Sequence, residues 1–173
     1  PEAARMYLAA AANSTRTEVP ARRMLGRMLL AAGQADDAVR LVQENEGATD
    51  SDLLALGERA SLLTGDTDTA LDYFRRSVAA APQDVRRQLD LARALLSADK
   101  AQEALGVLDS VKVSAAQEPE RLVLRTAALL QSGQREAAVA GMRALAASRP
   151  KDVDAQWLAA RGFVLAGDPV AAH

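Results

Sequence analysis

Few residues in this chain could carry out covalent chemistry, and their placement argues against it. The single histidine, His173, is the last residue, so no Ser–His–Asp or Cys–His relay can be assembled. With no cysteine there is no thiolate nucleophile, disulfide or thiolate metal site. Ser51, Ser61, Ser77 and Ser97 have no base beside them in a recognisable motif. Asp66-Thr67-Asp68 offers two carboxylates, but the Gly and distal Glu of an EF-hand loop are missing. It reads better as a helix N-cap, where Asp accepts orphan backbone N–H groups. Each Gly stands alone, so no loop cradles phosphate. These residues predict no enzyme activity, no metal and no cofactor. The arginines are different: Lys is confined to positions 100, 112 and 151, and guanidinium forks grip carboxylates or phosphates in bidentate fashion.

Composition limits what can position such side chains. Of 173 residues, 49% are hydrophobic but only 3% aromatic, and Ala supplies much of the apolar share. Ala favours helices and close backbone approach, so an all-α chain is expected. A formal net charge of -2 predicts no affinity for nucleic acid or membrane surfaces. No apolar run approaches the roughly 20 residues of a membrane span, so this segment should not insert directly.

The breaks Gly33, Gly65, Asp99, Gly133 and Gly167 lie 32, 34, 34 and 34 residues apart. A small residue follows each by five: Ala38, Ala70, Ala104, Ala138 and Ala172. Pro82 and Pro150 sit twelve beyond Ala70 and Ala138, past where a helix should stop. Leu91, Ala92, Leu95 and Ala98 form one helical stripe, and Ala104, Leu105, Leu108 and Val111 another. This pattern resembles the tetratricopeptide repeat, a helix–turn–helix unit of about 34 residues. The resemblance implies a right-handed α-solenoid with one continuous core. It also implies close A–B packing of Gly26 with Ala38, Ala92 with Ala104, and Ala160 with Ala172.

The expected organisation is a single array over 1–173. A second helix of a partial repeat occupies 1–13. Repeats follow at about 19–48, 50–82, 84–116 and 119–150, and a partial repeat at 152–173. Helix pairs are expected at 19–32/35–46, 50–64/67–81, 84–98/101–113 and 119–132/135–148, then a helix at 152–166. Both ends fall inside a repeat, so the chain is expected to be cut from a longer protein. One interval is two residues short, and strict counting would press Glu58 against its partner helix. The alternative register, with Leu53, Leu56, Gly57, Ala60 and Leu63 inward and one extra residue before the turn, makes the better apolar stripe. Arg125 takes a usually apolar place and should snorkel to water.

In such arrays the first helix of each pair (A) lines a concave groove. The resemblance carries Arg27, Arg93, Arg161, and Arg59 or Glu58 into it at one level, and Arg23, Leu89, Val123 and Trp157 at a second. Arg86 falls at a third, while Ala127 interrupts the first. The implied partner-binding set is Arg23, Arg27, Arg59, Arg86, Arg93, Trp157 and Arg161. Trp157 could stack on a sugar, a proline or an Arg, or pack on a following repeat. An Arg ladder suits an acidic protein or peptide, or an anionic polymer. Alternatively it is a solvated face, since Asp90 can pair with Arg93 while Asp52, Glu120 and Asp154 dilute the field. The Lys and Asn residues of the family's carboxylate clamp are missing.

The function implied is a non-catalytic scaffold for protein–protein interaction. The Ala- and Arg-rich, Lys-poor style resembles bacterial repeat proteins of exopolysaccharide secretion, which favours the periplasm over the cytoplasm. Direct contact with the polysaccharide is an alternative, as is an accessory segment of a larger enzyme.

Overall fold

The computed structural model describes Met6, residues 18–44 and residues 50–167. The helices expected at 1–13 and from 169 onward lie outside that range, as does Ala172. The described helices are α1 Glu18–Ala31, α2 Ala35–Gln43, α3 Ser51–Thr64, α4 Thr67–Ala80, α5 Val85–Ser97, α6 Ala101–Ser110, α7 Glu118–Gln131, α8 Arg135–Ser148 and α9 Val153–Leu165. Most bounds fall within a residue of those expected; α2 and α6 end early. Beyond α2, acidic Glu44 and Glu46 oppose the helix dipole and Gly47 disfavours helix. The buried Arg22 of α1 instead donates to the Leu41 carbonyl, 3.0 Å away, in the last turn of α2. Beyond α6, the β-branched pair in Val111-Lys112-Val113 favours extended backbone. Val111 adopts it and stays buried.

Every A helix ends the same way. Gly33, Gly65, Gly133 and Gly167 have φ of 68–76°, and Asp99 has φ 57°. At four of these stops the next N–H reaches back five residues: Gln34 to the Leu29 carbonyl (2.9 Å), Asp66 to Ser61 (3.0 Å), Lys100 to Leu95 (2.9 Å) and Gln134 to Leu129 (2.8 Å). This is the Schellman closure, which requires a left-handed residue. A short polar side chain lets Asp99 tolerate that conformation, and its carboxylate accepts from Gln131 Nε2. Asp50, Asp66, Asp84 and Asp152 then cap α3, α4, α5 and α9. Asp66 therefore caps, accepting from the Thr69 N–H at 3.0 Å.

The helices group into two compact units, Pro1–Gln83 and Asp84–His173. In the first, α1 packs on α2 and α3, and α3 on α2 and α4. In the second, α6 lies between α5 and α7, and α8 between α7 and α9, with α5–α7 and α7–α9 also in contact. Among the described residues, successive A helices thus touch within each unit while the B helices α2 and α4, or α6 and α8, do not.

The recurring small residues lie at the centre of this packing: Ala38, Ala70, Ala104 and Ala138 are all buried. In the first unit Val42, Leu53, Leu54, Leu56 and Tyr73 cluster, beside Leu25, Leu29, Ala38 and Ala60. In the second, Val139, Met142, Ala159, Phe163 and Ala166 do the same. The alternative register of α3 is present, with one correction. Leu53, Leu56, Gly57 and Ala60 are buried, but Leu63 is 62% exposed. The extra residue before the turn carries Leu63 round to solvent, and Leu54 and Ser61 face inward instead. Arg125 snorkels as expected, its Nε 2.7 Å from Asp109 Oδ1.

Gly57 lies against the Tyr73 ring: a Cβ there would meet ring atoms at 2.8 Å. A Cβ on Gly106 of α6 would meet nothing within 4 Å. Gly57→Ala should therefore destabilise the first unit by about 1–3 kcal/mol through overpacking. Gly106→Ala should stabilise the second by up to about 1 kcal/mol through helix propensity. Denaturant melts of both variants check the pair; a Gly57→Ala midpoint equal to the parent's would contradict this packing.

Candidate functional site

Among the described residues, every exposed large apolar side chain other than Met6 sits on an A helix: Met24 on α1, Leu62 and Leu63 on α3, Val123 on α7, and Val153, Trp157, Val164 and Leu165 on α9. The A helices also carry the arginines of the expected ladder, and each unit pairs them in its own way.

On the first unit, Arg23 of α1 grips Asp50 with a two-pronged fork: Nε donates to Oδ1 at 2.9 Å, and a second nitrogen donates to Oδ2. Asp50 meanwhile caps α3 by accepting from the Leu53 N–H at 3.0 Å. The Arg23 hydrogen bond, reinforced by the Leu53 N–H, holds the Asp50 carboxyl below its usual range despite partial burial. Asp52, in the first turn of α3, lies 3.3 Å from Arg23 and 3.4 Å from Arg27. Gly57 takes the small packing place, so Glu58 follows it as Arg27 follows Gly26. Arg59 is exposed one place further on, with no ion pair among the described residues.

On the second unit, Arg93 of α5 contacts Asp90 at 2.6 Å and reaches Glu120 in the first turn of α7 at 2.5 Å. Arg86 is exposed at the start of α5, and its side chain has no ion pair among the described residues. Leu89, expected on the face, is core at 2% exposure. Trp157 is 62% exposed, and the Arg161 guanidinium lies 5.5 Å from its ring centroid.

A common rung emerges within each unit. An arginine follows the small packing residue of one A helix and bridges to an acid in the first turn of the next: Arg27 to Asp52, and Arg93 to Glu120. The ladder arginines 23, 27 and 93 are thus already paired with carboxylates. Between α7 and α9 the rung is missing, because α7 has Ala127 at that place while α9 still offers the exposed Asp154. There the surface opens into an apolar cavity of about 80 Å³ lined by Val123, Thr126, Met142, Leu158, Gly162 and Leu165, with Ala127 and Arg161 at its wall. Sequence reasoning named Ala127 and Val123 but not this cavity. Its signal is the absence of an arginine.

Among the described residues no cluster of His, Asp or Glu could hold a metal, and no helix is long and apolar enough to cross a membrane. The fold and this face define an all-α helical-repeat solenoid. Residues 61–128 match the family model described as tetratricopeptide repeat. Among solved structures the chain is similar to MamA (41 to the end) from Desulfovibrio magneticus RS-1, at 20% identity and TM-score 0.63, covering 87% of this chain and 86% of that one. A tetratricopeptide repeat protein from Parabacteroides merdae is similar at 14% identity and TM-score 0.68, covering 97% and 68%. YrrB, described as a TPR protein with an unusual peptide-binding site, is similar at 13% identity and TM-score 0.63, covering 95% and 86%. No curated protein matches the chain in sequence. The family match thus spans residues 61–128, and the solved structures show the helical-repeat fold.

The Arg23–Asp50 fork has a pH signature. Because the folded carboxyl lies below its ordinary value of 3.8, its contribution is present above that pH and is lost as pH falls through the folded value. The melting temperature should therefore drop as pH falls below the ordinary carboxylate value of 3.8. Asp50→Asn keeps a competent N-cap but loses the charge, and thermal melts across that range should show a shallower drop. An unchanged slope would contradict the assignment.

Proposed function

We propose that this chain is a non-catalytic scaffold that holds a protein or peptide partner against the A-helix faces of its units. The observation carrying the reading is that exposed large apolar side chains in the described helices are confined to A helices, alongside Arg23, Arg27, Arg59, Arg86, Arg93, Trp157 and Arg161. Apolar and aromatic groups among charged ones are the composition of a recognition surface. The peptide-binding description of the similar YrrB adds analogy. Arg59, Arg86 and Arg161 carry cations without ion pairs among the described residues, so an acidic partner fits best.

The setting we favour is a bacterial envelope assembly such as exopolysaccharide export, on the Arg-rich, Lys-poor style of the repeats. Contact with an anionic polysaccharide through the same arginines is a second reading. The internal pairing of Arg23, Arg27 and Arg93 supports it less, because a polymer would have to displace bound carboxylates.

Photo-crosslinking in cells producing the full-length protein tests both readings. A benzophenone amino acid at Val123 or Trp157 should trap a polypeptide, while the same probe at the exposed Ala140 or Ala144 of α8 should not. Carbohydrate-positive, protease-resistant adducts would favour the polysaccharide. Equal trapping from α8 would overturn recognition by the A-helix face.

A further inference from the structure

The missing rung leaves three features side by side on the second unit. The cavity between α7 and α9 is apolar, floored by the buried Met142, with the buried Thr126 hydroxyl turned to the Met142 sulfur at 3.7 Å. At about 80 Å³ it is well below the roughly 150 Å³ that accommodates benzene, so it suits an aliphatic side chain and not an aromatic or sugar ring. Arg161 contributes to its wall and carries its guanidinium along α9 to Trp157, one helical turn away. That cation has no carboxylate partner among the described residues, unlike Arg23, Arg27 and Arg93.

We infer that this cavity is the anchor pocket of the binding face, taking one aliphatic side chain of an extended peptide segment. An Asp or Glu two residues away in that segment pairs with Arg161. Extended backbone presents residues i and i+2 to the same side, roughly 6.6 Å apart, so one side chain can enter the cavity while its neighbour on that side meets the Arg161 guanidinium beside the cavity wall. This inference rests on the A-helix face being the recognition surface.

The test uses the 173-residue chain and a fluorescein-labelled Gly/Ser peptide with a central Leu-Ser-Glu, read by fluorescence anisotropy. Leu→Ala in the peptide should weaken binding by about tenfold or more through lost apolar burial. Glu→Gln in the peptide should cost about threefold through the lost ion pair, and Arg161→Gln should abolish that Glu-over-Gln preference. Ala127→Arg, at an exposed helical site, supplies the missing rung to Asp154 and closes the mouth; it should weaken the parent peptide by about tenfold with an unchanged melt.

The proposal is overturned by absence of binding at about 1 mM peptide, equal affinity of the Leu→Ala peptide, or indifference to Ala127→Arg. If crosslinking from Trp157 to the cellular partner persists in any of those cases, the face stands and only the anchor fails. If that crosslinking is lost in the parent chain, the broader reading fails.

Discussion

The structure depends on a stop. Each described A helix ends in one left-handed residue, and after α1, α3, α5 and α7 the following N–H closes on a carbonyl five residues back and the chain turns into the B helix. Gly33, Gly65, Gly133 and Gly167 adopt that conformation without steric penalty, and Asp99 does so with a short polar side chain. The stop fixes where the B helix begins, and with it the depth at which Ala38, Ala70, Ala104 and Ala138 meet the A helix. These alanines are almost wholly buried, which gives burial without bulk in a chain with few aromatics. Within each unit the same turn returns the chain so that one A helix lies on the next.

That stacking creates the face, and electrostatics then differentiates it. A first-turn acid on one A helix faces an arginine on the helix before it. Such exposed pairs are worth little in stability, typically about 0–1 kcal/mol, so their larger effect is on recognition. Rungs such as Arg27–Asp52 and Arg93–Glu120 satisfy the guanidinium groups internally and lower their availability to ligands. The Arg23–Asp50 fork goes further, because its carboxylate also caps α3 and so joins face chemistry to helix formation. Where Ala127 removes a rung, the surface changes from charged to apolar, and Arg161 is left with a ring beneath it in place of an acid.

Much of this was legible in the sequence, and the exceptions have physical causes. The period, the stops and the helix bounds follow from single-residue preferences, which act locally. The inward turn of Gly57 was legible because a buried unpaired Glu58 would be costly. Leu63 and Leu89 depart from the expected facing because one added residue, or a fraction of a turn of helix rotation, decides between core and solvent, and spacing alone resolves neither. Beyond the local Asp90–Arg93 pair, the ladder reads as a strip of cations because the cross-helix partners of Arg27 and Arg93 lie 25 and 27 residues away, although Asp52 and Glu120 are legible as diluting charges. The cavity was hidden because it arises from a side chain that is not there and from orientations of Leu158, Leu165 and Met142 that no periodicity records.

The face is closed where rungs are present and open where one is missing. A crystal of the chain under xenon pressure tests this most directly, since xenon enters dry apolar cavities and avoids polar surfaces. Xenon density is expected between α7 and α9, against Met142, with none at the level of Arg27–Asp52 or Arg93–Glu120. An empty site beside Met142, or xenon at the rungs, would contradict it.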